Sequence, residues 1–123
     1  MFNEVISLFQ EKSSFFINLM WQHLQISFIA VIIACVIGLI MGVIISEYKN
    51  SSKYVLGVIN FLYTIPSISL LGFLIPFSGI GNKTAIIALT IYALLPMVRN
   101  TFTGIENIDD TIIEAATGMG STR

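Results

Sequence analysis

Long stretches without a single charge constrain this chain more than any other feature. No Asp, Glu, Lys or Arg occurs between Lys12 and Glu47, between Lys53 and Lys83, or between Lys83 and Arg99. A helix that crosses a bilayer needs about 20 predominantly apolar residues, because the hydrocarbon layer is about 30 Å thick and each helical residue rises about 1.5 Å. The first two runs meet that length. The third falls short, so its helix must borrow residues from beyond Arg99. The expected fold class is therefore all-α and integral to the membrane, with about three transmembrane helices. Composition agrees: 11% of the 123 residues are charged, against roughly 25% in ordinary soluble domains. Mean hydropathy is +0.87. A surface this poor in charge needs lipid around it.

The same inventory excludes several functions. Formal net charge is −1, so no general basic field for nucleic acid exists. The single cysteine, Cys35, rules out an internal disulfide and a multi-cysteine metal site, and reads as a small buried residue. The N-terminus has no basic n-region and no small-residue cleavage site, so it does not read as a cleaved signal peptide. There is no nucleotide-binding loop, no H-E-x-x-H and no G-x-S-x-G. No ionisable residue sits deep in an expected span, where a proton relay would need one. These absences argue against an intramembrane enzyme or a proton-driven carrier, and no cofactor is expected in this chain.

Periodicity divides the chain into a segment 1–20 and a membrane domain 21–123. In the first, Asn3, Ser7, Gln10, Ser14 and Asn18 form one polar stripe at helical spacing, with Phe2, Val5, Ile6, Phe9, Phe16 and Met20 on other faces. This pattern predicts an interfacial amphipathic helix; the alternative is a partly ordered extension. The first span is expected over about 24–46, flanked by Trp21 and Tyr48 at headgroup depth. Gly38 and Gly42 form a G-x-x-x-G pair that permits close helix approach. His23 is expected to be a solvated interfacial side chain. Residues 47–53 read as a short polar loop. The second span is expected over about 54–77, kinked at Pro66, with Thr64, Ser67 and Ser69 placed to satisfy the freed carbonyl. Pro76 and the glycines after it read as the end of that span. The third is expected over about 83–104, bent at Pro96, with Arg99 snorkelling to the interface.

With three spans, Lys49, Lys53, Arg99 and Arg123 fall on one side and Lys12 and Lys83 on the other. The positive-inside rule then puts the N-terminus outside and the C-terminal segment in the cytoplasm of a multi-pass plasma-membrane protein. On the second span, Asn60, Thr64 and Ser67 recur at i, i+4 and i+7, with Tyr63 beside them. Two readings stand: hydrogen bonds between helices, or one wall of a translocation path for a polar solute. Near the C-terminus, Asp109 or Asp110 can cap a short helix over about 110–120, and Thr111–Glu114 has capping-box spacing. Such a helix reads as a docking element; the alternative is a plain solvated helix. Gly118 and Gly120 end it or admit a close backbone approach.

The stretch Glu114-Ala-Ala-Thr-Gly-Met-Gly120 resembles the first part of the E-A-A-x-x-x-G signature of ABC importer permeases. Upstream, T-I-P-S-I-S-L-L-G-F-L-I-P (64–76), G-I-G (79–81) and Y-A-L-L-P-M-V-R-N-T-F-T-G-I (92–105) are similar to the osmoprotectant subfamily, over roughly residues 19–122. The resemblance implies a type I importer fold and import of glycine betaine, carnitine, choline or related compounds. It implies three partners besides the lipid bilayer: an ATP-binding subunit, an extracytoplasmic substrate-binding protein or fused domain, and a second permease in a homo- or heterodimer. It also makes 110–120 a coupling helix, with Asp110, Glu114, Ala115, Ala116 and Gly120 as its ATPase-facing residues. The family pattern continues beyond the glycine, so the chain reads as a partial permease. Alternatives are a permease for another betaine-like or amino-acid-like solute, and a small non-transport scaffold or regulator.

Overall fold

The computed structural model describes residues 2–122, and the side chains of all of these except Phe2, Asn3 and Lys49. Phe2 and Asn3 of the expected stripes, and Lys49 and Arg123 of the basic count, therefore lie outside the described side chains. Six helices follow in order, with no strand among the described residues: α1 (Phe2–Glu11), α2 (Ser13–Glu47), α3 (Lys49–Tyr63), α4 (Ser67–Ser78), α5 (Asn82–Glu106) and α6 (Asp110–Gly118).

Helix α2 is longer than the span expected from the uncharged run. Its 35 residues reach about 52 Å at 1.5 Å per residue, well beyond the hydrocarbon layer. Neither Pro nor Gly occurs between Ser13 and Cys35 to interrupt it. The amphipathic segment is thus two pieces rather than one helix: α1 ends at Glu11, while Ser14 and Asn18 ride on the start of α2. The stacked rings of Phe9 and Phe16, 4.5 Å apart, bridge the junction. The polar loop 47–53 is corrected as well. Only Tyr48 lies outside a helix there, and the amides of Ser51 and Ser52 bond its carbonyl as α3 begins.

The second expected span is not one kinked helix. Helices α3 and α4 meet at 93° across Thr64–Pro66. At about 22 and 18 Å, neither is long enough alone to cross a 30 Å layer. Two helices, α2 and α5, are long and apolar enough to span, and the bent pair makes a third if it counts as one. Helix α5 covers the expected third span and runs on through Pro96 to Glu106.

The core is the contact between α2 and α5. Cys35 meets Met97, Gly38 approaches Met97 and Val98, and Gly42 approaches Val98 and Thr101, so the two helices run in the same direction. The buried face of α2 is Ile26, Ala30, Ala34, Gly38, Gly42 and Ile45, a ladder of four-residue steps ending in one of three. Opposite it lie Thr84, Ala88, Leu95 and Val98 of α5. Against lipid, burying apolar surface gains little, so van der Waals packing must hold the helices, and small residues bring the backbones close enough for it. A Cβ on Gly42 would stand 2.5 Å from Thr101 Cβ, and one on Gly38 2.6 Å from Met97 Cβ. The bent pair attaches beside this contact: Ile59 of α3 packs with Ile45, Leu95 and Val98, fringed by Met41, Val55, Leu94 and Phe102. Cys35 is only half-buried, less so than its place in an apolar run implied.

Candidate translocation and coupling sites

Pro66 cannot donate a backbone hydrogen bond, and its ring disfavours helical geometry at the residue before it. Helix α3 therefore ends at Tyr63, and the loose polar groups find partners locally. The Thr64 hydroxyl donates to the Phe61 carbonyl at 2.6 Å. The Ile65 amide bonds Leu62 O, and the Ser69 and Leu70 amides both bond Pro66 O as α4 starts. The Ile65 carbonyl is taken from outside the pair by the Tyr92 hydroxyl of α5. The Tyr92 ring also meets Tyr63 edge-on, with centroids 6.5 Å apart. The carbonyl that Pro66 frees, Leu62 O, is thus taken by the Ile65 amide, while Thr64 bonds Phe61 O rather than filling the role expected of it; Tyr92 was not foreseen.

The break also divides the expected polar face. Asn60 and Tyr63 line a recess of about 170 Å³ between α3 and α5, together with Pro96, Arg99 and Asn100. Thr64 spends its hydroxyl on its own helix. Ser67 opens α4 and faces a second recess, lined also by His23, Ser27, Leu71, Ala88 and Tyr92. The i, i+4, i+7 relation of Asn60, Thr64 and Ser67 does not survive as one continuous helix face, because the axis turns between the last two. His23 is exposed, as expected at an interface, but it borders the recess at Ser67.

The C-terminal helix is delimited at both ends by its own sequence. Asp109 is the N-cap: its carboxylate accepts from the Thr111 amide at 2.9 Å and the Thr111 hydroxyl at 2.7 Å. The Thr111 hydroxyl, with the amide behind it, holds the Asp109 carboxyl below the usual aspartate range. Asp110 occupies the first turn, where a negative charge favours the helix dipole. With Asp109 as cap the third helical position is Ile112, so Glu114 does not close a capping box and is left as an exposed carboxylate. At the far end, Ser121 N bonds Ala116 O and Gly120 N bonds Thr117 O, with Gly120 at φ 88°. This is a Schellman closure, which requires a left-handed residue just past the helix. The signature glycine therefore has a local task in this fold: standing two residues past the end of the helix at Gly118, it closes the helix. Ala115 is exposed and Ala116 half-buried.

Sequence reasoning missed Tyr92, Arg99 and Asn100 as site residues, although all three lie in the quoted block 92–105. The signal for Arg99 and Asn100 was present, since they are polar side chains inside a stretch that must be helical. For Arg99 that signal fits an interface anchor equally well. Nothing local marks Tyr92 as the partner of a carbonyl 27 residues away. Among the described residues no group of three or more His, Cys, Asp or Glu side chains gathers as a metal would require.

Apolar spanning helices locked by a small-residue ladder, one broken span and a capped amphiphilic helix after the last span define an integral membrane protein of the transport-permease class. The chain belongs to the family described as binding-protein-dependent transport system inner membrane component, whose profile matches residues 34–123. Among curated relatives, it is 42% identical to a carnitine transport permease protein, OpuCB of Listeria monocytogenes, over 96% of this chain and 54% of that one. It is 32% identical to the choline transport system permease protein OpuBB of Bacillus subtilis (strain 168), over 98% and 55%. It is 39% identical to the osmoprotectant import permease protein OsmW of Salmonella typhimurium, over 97% and 58%. The chain thus spans about half the length of the curated relatives it matches. No solved structure matches it.

Proposed function

We propose that this chain is the membrane-spanning permease component of an ATP-driven importer for quaternary-amine osmoprotectants such as glycine betaine, carnitine or choline. The observation that carries the reading is that relatives covering nearly the whole chain are named as permeases for carnitine, choline and osmoprotectants. ATP hydrolysis belongs to a separate ATP-binding subunit. An extracytoplasmic binding protein or fused domain delivers the solute, and a second permease subunit completes the path. The N-terminus is outside, and α6 lies in the cytoplasm. Alternating access then moves the solute past the broken span, where Asn60, Tyr63, Thr64 and Ser67 border the path.

Helix α6 is the coupling element in this reading. Its cap and its Schellman stop give it a fixed length, and its exposed Ile112, Ile113 and Met119 offer apolar surface to a groove. Asp110 and Glu114 supply charge for a basic partner. Ala115 and Ala116 keep the middle of the helix thin, and added volume there clashes with a preformed groove.

The test is Ala115→Trp in the assembled transporter. Membrane insertion is expected to persist, while solute uptake falls and ATP hydrolysis no longer responds to the loaded binding protein. Uptake and ATPase stimulation equal to the parent would remove α6 from the coupling role. A stable complex that never includes an ATPase would point instead to a membrane scaffold.

A further inference from the structure

Helix α4 is the least secured element of the membrane region. It has no buried residue, and Ile68, Phe73 and Phe77 stand exposed along it. It packs along α5 and makes no close backbone approach to α2. One side-chain tie holds each end. At the C-terminal end the buried Thr84 of α5 donates its hydroxyl to the Gly79 carbonyl and lies 2.6 Å from the Ser78 hydroxyl. The chain reverses there through Gly79 and Gly81, at φ 81° and 140°, a region that favours glycine. At the N-terminal end the tie is the Tyr92 hydroxyl on the Ile65 carbonyl. The backbone itself does not bridge the break. The Thr64 and Ile65 amides bond back to Phe61 and Leu62, and the Ser69 and Leu70 amides bond Pro66 O on the α4 side.

Between α4 and α2 lies a recess of about 320 Å³, with Ala88 of α5 in its floor. His23, Ile26 and Ser27 line one wall, and Ser67 and Leu71 the other, each set on one helix face. Among the described residues no hydrogen bond occupies the side chains of His23, Ser27 or Ser67. A gap between helices forfeits dispersion contacts on both walls, and polar side chains at membrane depth favour protein partners. Both effects favour closing it. The plain alternative is a fixed α4 beside a lipid chain that fills the gap.

We propose that α4 is a flap that closes across this recess onto α2, pivoting at the turn 79–81, and that the Tyr92–Ile65 bond is the catch that holds it open. Closure sets Leu71 against Ile26 and brings the Ser67 hydroxyl to Ser27 and His23. The joint at 64–66 permits the movement, because no backbone hydrogen bond crosses it. Use of the flap as a gate rests on the permease reading; its movement does not.

Spin labels at Phe28→Cys and Phe73→Cys, exposed positions off the recess faces, report the α2–α4 separation in lipid nanodiscs, in a Cys35→Ser background. Two separations are expected in the parent, the longer one predominant. Tyr92→Phe should raise the shorter population about threefold, the weight of one hydrogen bond between membrane helices, and Ser67→Ala should lower it. A single separation, or populations that Tyr92→Phe leaves unchanged, overturns the proposal. A second measurement needs no label. Ser27→Cys paired with Leu71→Cys should form a disulfide in mild oxidant, because closure brings the two within bridging distance; Ser27→Cys paired with Phe73→Cys should not. Failure of the first pair to cross-link also overturns closure. In the assembled transporter that disulfide should stop uptake until it is reduced, and uptake that continues with the disulfide formed removes the gate. A parent that assembles but imports no osmoprotectant strikes the transport reading alone, since the labels still read the flap.

Discussion

Gly42 and Asp109 show how much one side chain can decide here. At Gly42 a single methyl group would press against Thr101 across the α2–α5 contact. Gly42→Leu should therefore destabilise the chain by roughly 1–3 kcal/mol, the usual cost of overpacking, read as a lower midpoint of thermal unfolding in detergent. Gly57 is the control. A Cβ there meets nothing within 4 Å, so Gly57→Ala should leave stability unchanged or raise it by about 0.5–1 kcal/mol through helix propensity. Asp109 works through charge rather than volume. Its carboxyl titrates below the usual aspartate range because the ionised form accepts the two Thr111 bonds. A depressed folded-state pKa means that the cap's contribution is full above the unfolded-state value and is lost as pH falls through the folded-state value. Protection of the Thr111 amide from hydrogen exchange should drop in that acidic window. Asp109→Asn keeps an acceptor without a titrating charge, so it should flatten the pH dependence, whereas Asp109→Ala should fray the first turn at every pH.

At the scale of elements, the broken span is held by more than its proline. Pro66 withdraws an amide, but the Thr64 hydroxyl and the Tyr92 hydroxyl occupy the carbonyls on either side of the turn. Restoring the amide alone should therefore not straighten the pair. Spin labels at the exposed positions Tyr54 and Phe77 report the distance across the bend. Pro66→Ala should leave that distance close to the parent's. Adding Tyr92→Phe, which removes the clamp from α5, should lengthen it. Tyr92→Phe alone should cost well under about 1 kcal/mol, in line with hydrogen bonds between membrane helices. A full straightening by Pro66→Ala would mean that the proline is the whole cause. The ladder on α2 is an element of the opposite kind: it holds α5 by packing, through small residues at successive four-residue steps from Ala30 to Gly42.

For the whole molecule, the large exposed apolar area on α2, α3 and α4 is what a chain in lipid presents, and its orientation is set by the charged ends. Ser51 and Ile80 are both exposed and lie at opposite ends of the bent pair. In a Cys35→Ser background, an impermeant thiol reagent applied to intact cells should label Ile80→Cys and not Ser51→Cys. The reverse pattern would invert the topology and place α6 outside, where no ATPase could meet it.

The sequence by itself determined that the chain is helical, lives in a membrane and carries a capped helix after its last span. Each of these follows from local rules: uncharged runs of the right length, a carboxylate ahead of a helix, and a glycine where the backbone must turn left-handed. It also carried the G-x-x-x-G pair, although the extension of that ladder through Ala34 and Ala30 was equally readable at the same spacing. Only the tertiary structure decided that α2 and α5 pack in parallel through that ladder. Only it turned the kink at Pro66 into a break of 93°, and brought Tyr92 to Ile65 and Arg99 to Asn60. The reason is the range of the interactions. A proline specifies a missing donor but not the angle that results, because the angle also depends on the partners that the carbonyls around the break find, here a hydroxyl from a distant helix at Ile65. A polar residue in an apolar helix specifies that it needs a partner, but only packing against another helix decides which partner it meets.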